Sequence, residues 1–297
     1  MRSAGATLQS FLLSRVPCYR ADLYTFTLLN GAIYRWTDFD RNLSYNGNPY
    51  YAQVDANNNN TPLLSRSQIA IKNTAEVPEM TIKALALDTA FVDGVNIKQQ
   101  LHNGHFDGCT VELDRCAMPT PGDTSLGAVN LFTGILATPK ITALGVELTV
   151  KGAIRTVNQQ APRNLYQTAC RHTFCDSGCT LNPATYTITN TVGASPTAQL
   201  IPWGSAPGSP GLFTYGVLTM TSGAASGQQR TVKFSSSAGL LLRFPLYNMP
   251  TLGDAYSVIQ GCNKTKNLGN TAQSCNDRGN LQHFRGFPYV PVAETAV

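Results

Sequence analysis

The sequence predicts a mainly β protein, built as a barrel or sandwich, opened by one short helix and closed by a small cysteine-rich subdomain. Three observations carry this reading. Short runs of alternating apolar and polar residues recur along the chain, turn residues punctuate them, and helical periodicity is confined to the N-terminus. The 297 residues suffice for two ordinary domains.

Leu8, Phe11, Leu12 and Val16 recur at helical spacing within residues 5–17, which gives a short amphipathic helix whose apolar face needs a partner. Alternation then takes over: Leu23, Thr25, Thr27 and Leu29 lead into Asn30-Gly31, a hairpin turn, and 33–36 return as the next strand. A second turn falls at Asn46-Gly47-Asn48-Pro49, followed by a strand over 50–54, and the asparagine run 57–60 forms a loop. Strands follow at 67–71, 79–85, 110–116, 131–135 and 141–150, with 88–100 a short helix or an extended edge. After Ala161-Pro162 a cysteine-rich stretch precedes another β region, from Tyr186 to Ile259, with turns at 207–211, 223–227 and 238–239. The expected division is 1–160 as an N-terminal β domain and 161–297 as a C-terminal one. In the latter, an all-β insert of about 184–260 is bracketed by cysteine segments at 161–183 and 261–297.

Composition narrows the function classes. Charged residues are 13% of the chain, well below the roughly 25% of average soluble proteins, so the surface is built mainly from Ser, Thr, Asn, Gln and Gly, as suits a particle protein packed against neighbours. The net charge of +5 arises entirely after residue 160, where 9 basic residues face 4 acidic ones. Because Arg230, Lys233 and Arg243 stand singly, no basic stripe marks a nucleic-acid surface. No run reaches the ~18 apolar residues of a membrane span, and Phe11-Leu12-Leu13 is too short for a secretory core. The expected compartment is the cytoplasm until release, where thiols stay reduced and a cysteine cluster points to metal or catalysis.

Five of the eight cysteines form two groups: Cys170, Cys175 and Cys179, then Cys262 and Cys275. No pair has the tight Cys-x-x-Cys spacing usual in zinc sites, whereas an iron–sulfur cluster accepts thiolates from wider loops. Zinc stays as the alternative, and spacing alone leaves ordinary buried free cysteines an equal competitor. Cys18, Cys109 and Cys116 fit that bland role.

The stretch Gly261-Cys262-Asn263-Lys264, then Cys275, Asn280 and Phe284-Arg-Gly286-Phe-Pro288, resembles the C-terminal signature of the tail-tip hub proteins of phages and gene transfer agents. Cys170-Arg-His and Asp176-Ser-Gly-Cys179 are similar to that family's partner motif, and the 30–31 hairpin with Thr37-Asp-Phe-Asp40 is similar to its opening. The resemblance implies tail-hub β domains and a [4Fe–4S] cluster held by Cys170, Cys179, Cys262 and Cys275. It also implies a homo-oligomeric ring, a trimer, in the virion tail tip of a long-tailed phage, assembled in the host cytoplasm. The implied neighbours are a distal tail protein and a central tip or fibre protein. Cys175 stands where the family carries a large non-cysteine residue, which makes it a substitute ligand candidate.

The competing readings are weaker. A Cys/His cell-wall peptidase would draw on His172 or His283, yet no signature supplies a base with an orienting third group, so no enzyme is expected. His102-x-x-His105 reads as a surface loop, Asp38 and Asp40 as solvated edge carboxylates, and Gly223 to Gly227 lacks the Lys-Ser/Thr of a phosphate loop. A glycan-binding β module, zinc-stapled, would need Trp36 or Trp203 exposed.

Overall fold

The computed structural model describes residues 5–69, 77–85, 89–137, 139–142, 145–152, 166–267 and 273–289. The chain is mainly β, with two curled half-barrel sheets and one short N-terminal helix, and it divides into units Met1–Gln160 and Ala161–Val297.

In the first unit α1 (Ala6–Leu13) precedes β1 (Tyr19–Thr27), β2 (Ile33–Thr37), β3 (Leu43–Tyr45), β4 (Asn48–Tyr50), β5 (Leu63–Arg66) and β6 (Glu79–Leu85). Then come β7 (Phe91–Val92), β8 (Val95–Asn96), α2 (Ile97–His102), β9 (Thr110–Met118), β10 (Ala128–Leu136), β11 (Lys140–Ile141) and β12 (Val146–Gly152). The main sheet runs β2-β1-β9-β10-β12-β6-β5, with β11 on β12. Alternation explains its inner face: Met80, Ile82 and Ala84 of β6, and Val146, Leu148 and Val150 of β12, are buried while their neighbours are not. These join Tyr24, Phe26, Trp36, Phe106, Val111 and Leu113 in one core.

A buried charge ties β1 and β9 to β5, the strand at the other end of the sheet order. Asp22 on β1 is 2% exposed and accepts from Arg115 Nε at 2.7 Å, Arg115 Nη2 at 2.9 Å and Arg66 Nε at 2.6 Å. Its backbone N–H donates to Asp38 Oδ1 at 2.7 Å, so Asp38 orders the hairpin rather than standing free on an edge.

Several boundaries differ from the sequence reading. The strand expected at 67–71 is displaced: β5 covers Leu63–Arg66 and 67–69 are irregular, the remainder lying outside the described residues. The turn at 46–49 shrinks to Asn46-Gly47, both at positive φ (50° and 74°), which is the two-residue hairpin geometry that Asn-Gly favours. Asn48 and Pro49 therefore join β4, and beyond Tyr50 only isolated bridges at Tyr51 and Val54 continue the pairing. The run 141–150 breaks into β11 and β12, and 88–100 resolves into a β7–β8 hairpin followed by α2. The helix is shorter than expected, and its apolar side is mostly open, with Leu8 buried but Leu12 and Leu13 exposed.

In the second unit β13 (Thr187–Thr191), β14 (Leu200–Pro202), β15 (Val217–Met220), β16 (Gln229–Ser236), β17 (Gly239–Leu242) and β18 (Ala255–Ile259) form a six-stranded antiparallel sheet. Its order is β13-β18-β15-β16-β17-β14. The outer strands meet at one corner through the Val192–Trp203 bridge and the Gly193 N–H to Pro202 O (2.9 Å) and Gly204 N–H to Thr191 O (2.8 Å) bonds. The curl encloses Trp203, Phe213, Leu218, Met220, Val232, Leu240, Leu242, Tyr256 and Val258. Trp36 and Trp203 are both core residues, 4% and 8% exposed, and Trp203 Nε1 donates to Ser236 O at 2.7 Å. Neither tryptophan is the exposed glycan platform that the binding-module reading needed.

Candidate metal centre

Strand register decides where the cysteine segments go. β13 and β18 pair antiparallel with Thr187 opposite Ile259, so the chain enters β13 and leaves β18 at the same end of the sheet. Gln260 N–H extends that pairing to Tyr186 O at 2.8 Å. Cys179 lies just before this entry and Cys262 just after this exit; residues 83 apart in number thus emerge side by side.

The tail then folds back. Asn263 N–H donates to Gln273 O (3.3 Å), Cys275 N–H to Thr265 O (3.0 Å) and Asn276 N–H to Lys266 O (3.1 Å), while Cys170 N–H reaches Lys264 O at 2.7 Å. Gln273 is 6% exposed and anchors the tail on the sheet, its amide donating to Gly211 O (3.3 Å) and Thr214 O (3.2 Å). Glycine is required where these segments cross: a Cβ at Gly261 would overlap Thr214 O, and one at Gly286 would lie 2.6 Å from Thr168 O.

Carboxylates set the two turns. Asp176 accepts the N–H groups of Thr173 (2.8 Å), Gly178 (3.0 Å) and Cys179 (2.7 Å); burial pushes its carboxyl up, but these bonds outweigh it and the carboxyl lies below its ordinary value. Asp277 accepts Ser274 Oγ–H at 2.6 Å and Ser274 N–H at 3.0 Å, which likewise lowers its carboxyl.

The structure brings Cys170, Cys179, Cys262 and Cys275 together. Burial first, then thiolate charge on Cys170, Cys262 and Cys179, pushes the Cys275 thiol up to about 11. Cys262 is raised by burial, and Cys179 and Cys170 act on it in the same direction. Direct bonds link the loops as well: Lys264 N–H donates to Cys262 Sγ (3.4 Å), Arg285 N–H to Cys170 Sγ (3.5 Å) and Asn280 Nδ2–H to Cys179 Sγ (3.5 Å). Asn280 is 5% exposed, and besides Cys179 O at 2.6 Å it touches Cys275, whose thiol donates to Asn280 O at 3.0 Å. All four cysteines are free thiols. Soft donors ringed by N–H groups are what an iron–sulfur cluster asks of a protein, so the residues present fit that group. Among the described residues no three His, Cys, Asp or Glu side chains gather tightly enough for a single metal ion.

Cys175 is the fifth member. It sits at φ 62°, and its thiol is pushed up to about 11 by burial and by charge on Cys179, with Cys262 adding to it. Sequence reasoning missed Arg278, which lies between Cys275 and Asn280 and bonds to Gly261 O at 2.6 Å. Its position inside the second cysteine segment was the available signal. His172 faces Asp176 (Nδ1 to Oδ1, 3.6 Å) and packs on Gly178, while His283 ends the short 3-10 turn Leu281–His283. In the other unit the His105 ring lies tilted against Tyr34 and 3.9 Å from Asp93, apart from any metal-binding set among the described residues. Cys109 and Cys116 are fully buried, with Cys116 inside β9 rather than at its edge, and Cys18 is half-buried ahead of β1.

Comparison with known proteins gives three findings. Residues 6–182 match the family described as baseplate hub protein, N-terminal attachment domain. Residues 211–294 match the family described as phage conserved hypothetical protein BR0599. A chain in the solved virion of a native gene transfer agent particle has a similar fold, with a TM-score of 0.70 and 20% identity over 98% of this chain and 94% of that one. No curated protein matches the sequence.

Proposed function

We propose that this chain, which belongs to the baseplate hub protein family and is a structural component of the virion tail, works as the hub of a long-tailed phage's tail tip. In this reading it joins the distal tail ring to the central tip protein as a trimeric ring, and it carries a [4Fe–4S] cluster on Cys170, Cys179, Cys262 and Cys275. The observation that supports the cluster most is Asn280, a buried residue in contact with both Cys179 and Cys275.

When bound, the cluster supplies a covalent cross-link. The chain's own residues do the rest. Asp176 and Asp277 preset the turns that present Cys179 and Cys275, Lys264 and Arg285 offer N–H groups to thiolate sulfur, and Gln273 ties the tail to the sheet. Locking the entry of β13 to the exit of β18 braces the unit at one end. Structural metal binding contributes on the order of 10–16 kcal/mol in zinc peptides, enough to decide whether so small a unit holds under load. Cys175 is the substitute donor when Cys179 is removed. Metal analysis separates this cluster from zinc, the occupant that the sequence reading kept as its alternative.

Electron cryomicroscopy of intact particles tests the placement. The expected map shows three copies in a ring between the tail tube and the central tip; a monomer on the outer shell, or six copies, would contradict the reading.

A further inference from the structure

Arg278 combines features that packing alone does not require. Its guanidinium packs against a pair of rings in edge contact with each other, 4.4 Å from the Phe174 centroid and 4.7 Å from that of Tyr186, the two centroids being 5.3 Å apart. Nη2 donates to Gly261 O at 2.6 Å and Nη1 to Gln260 Oε1 at 3.2 Å. Its Nε is buried with no hydrogen-bond partner, and the side chain makes no ion pair among the described residues. A cation held this firmly is normally matched by an anion. Its place ties it to the cysteines: Gly261, whose carbonyl it holds, is followed directly by Cys262, and Arg278 itself comes three residues after Cys275.

We propose that Arg278 is the counter-cation of the thiolate centre, fixed against two aromatic rings and the Gly261 carbonyl so that positive charge stands on the Cys262 side of the cage. The inference rests on the cluster reading above and adds how the centre is tuned. Four thiolates around a cubane leave the centre net negative, and reduction makes it more so. A fixed cation therefore favours the reduced form, and removing it lowers the midpoint potential. The rings and the Gly261 and Gln260 carbonyls keep the guanidinium in place; its charge also helps lower the neighbouring Asp277 carboxyl, but no ion pair joins the two among the described residues.

The test uses full-length protein purified without oxygen, with iron and sulfide content measured beside a redox titration followed by visible absorbance. Arg278→Gln should hold iron yet shift the reduction equilibrium about tenfold, close to 59 mV more negative for one electron, while Arg278→Lys stays near the parent. Holding of the cluster by Arg278→Lys but not by Arg278→Gln would also support the charge role. Equal potentials in the parent and both variants, or loss of the cluster from both, would overturn it in favour of packing alone. A parent protein without iron or sulfide would instead sink the cluster reading itself.

Discussion

At the residue scale, thiols divide into two kinds that share one chemical name. Cys109 and Cys116 lie in the first unit's core, and burial, with smaller contributions from Asp107 and Asp123, pushes them up to about 12 and about 11 from an ordinary 9.0. The folded state thus keeps their protons longer than the unfolded chain does. Stability is unaffected below about pH 9 and falls as pH rises from 9 towards 12, because only the unfolded chain gains by ionising there. Urea midpoints measured across that range should decline less steeply in a Cys109→Ala/Cys116→Ala variant than in the parent; parallel declines would refute the assignment. Which cysteines were inert was legible in the sequence only as isolation from the two clusters. Arg278 was legible only as a basic residue inside the second cysteine segment; its role was not, since its partners Phe174 and Tyr186 lie about a hundred residues upstream. Burial of Trp36 and Trp203, 4% and 8% exposed, removes the condition that the weaker glycan-module reading required.

At the scale of elements, alternation located most strands because each has one buried face, and turn chemistry located the hairpins. Asp93-Gly94, which closes β7 on β8 with φ of 51° and 73°, was a readable hairpin signal hidden inside a stretch whose periodicity was ambiguous. Register was beyond sequence, and register is what matters: Thr187 opposite Ile259 converts a long separation into adjacency. The corner where the sheet's outer strands meet depends on Gly193, whose Cβ would overlap Trp203 O. Gly193→Val should therefore destabilise the second unit by about 1–3 kcal/mol in urea unfolding, against no comparable loss for Gly208→Ala, where a Cβ meets nothing within 4 Å. Equal stability of the two variants would show that the corner does not hold the curl.

At the scale of the molecule, the family match over 6–182 and the fold shared with a gene transfer agent virion chain agree with a weakly charged β chain built for contact rather than turnover. The motif residues quoted for the resemblance also gain physical reasons: Gly261 and Gly286 permit chain crossings, and Asn280 bridges both cysteine segments. The measurement that bears most directly on the account is iron and acid-labile sulfide content of the protein purified without oxygen. The account predicts about four of each per chain, both lost together in Cys262→Ser. Zinc in their place, or a colourless protein with no metal whose Cys262→Ser variant is equally stable, would contradict it.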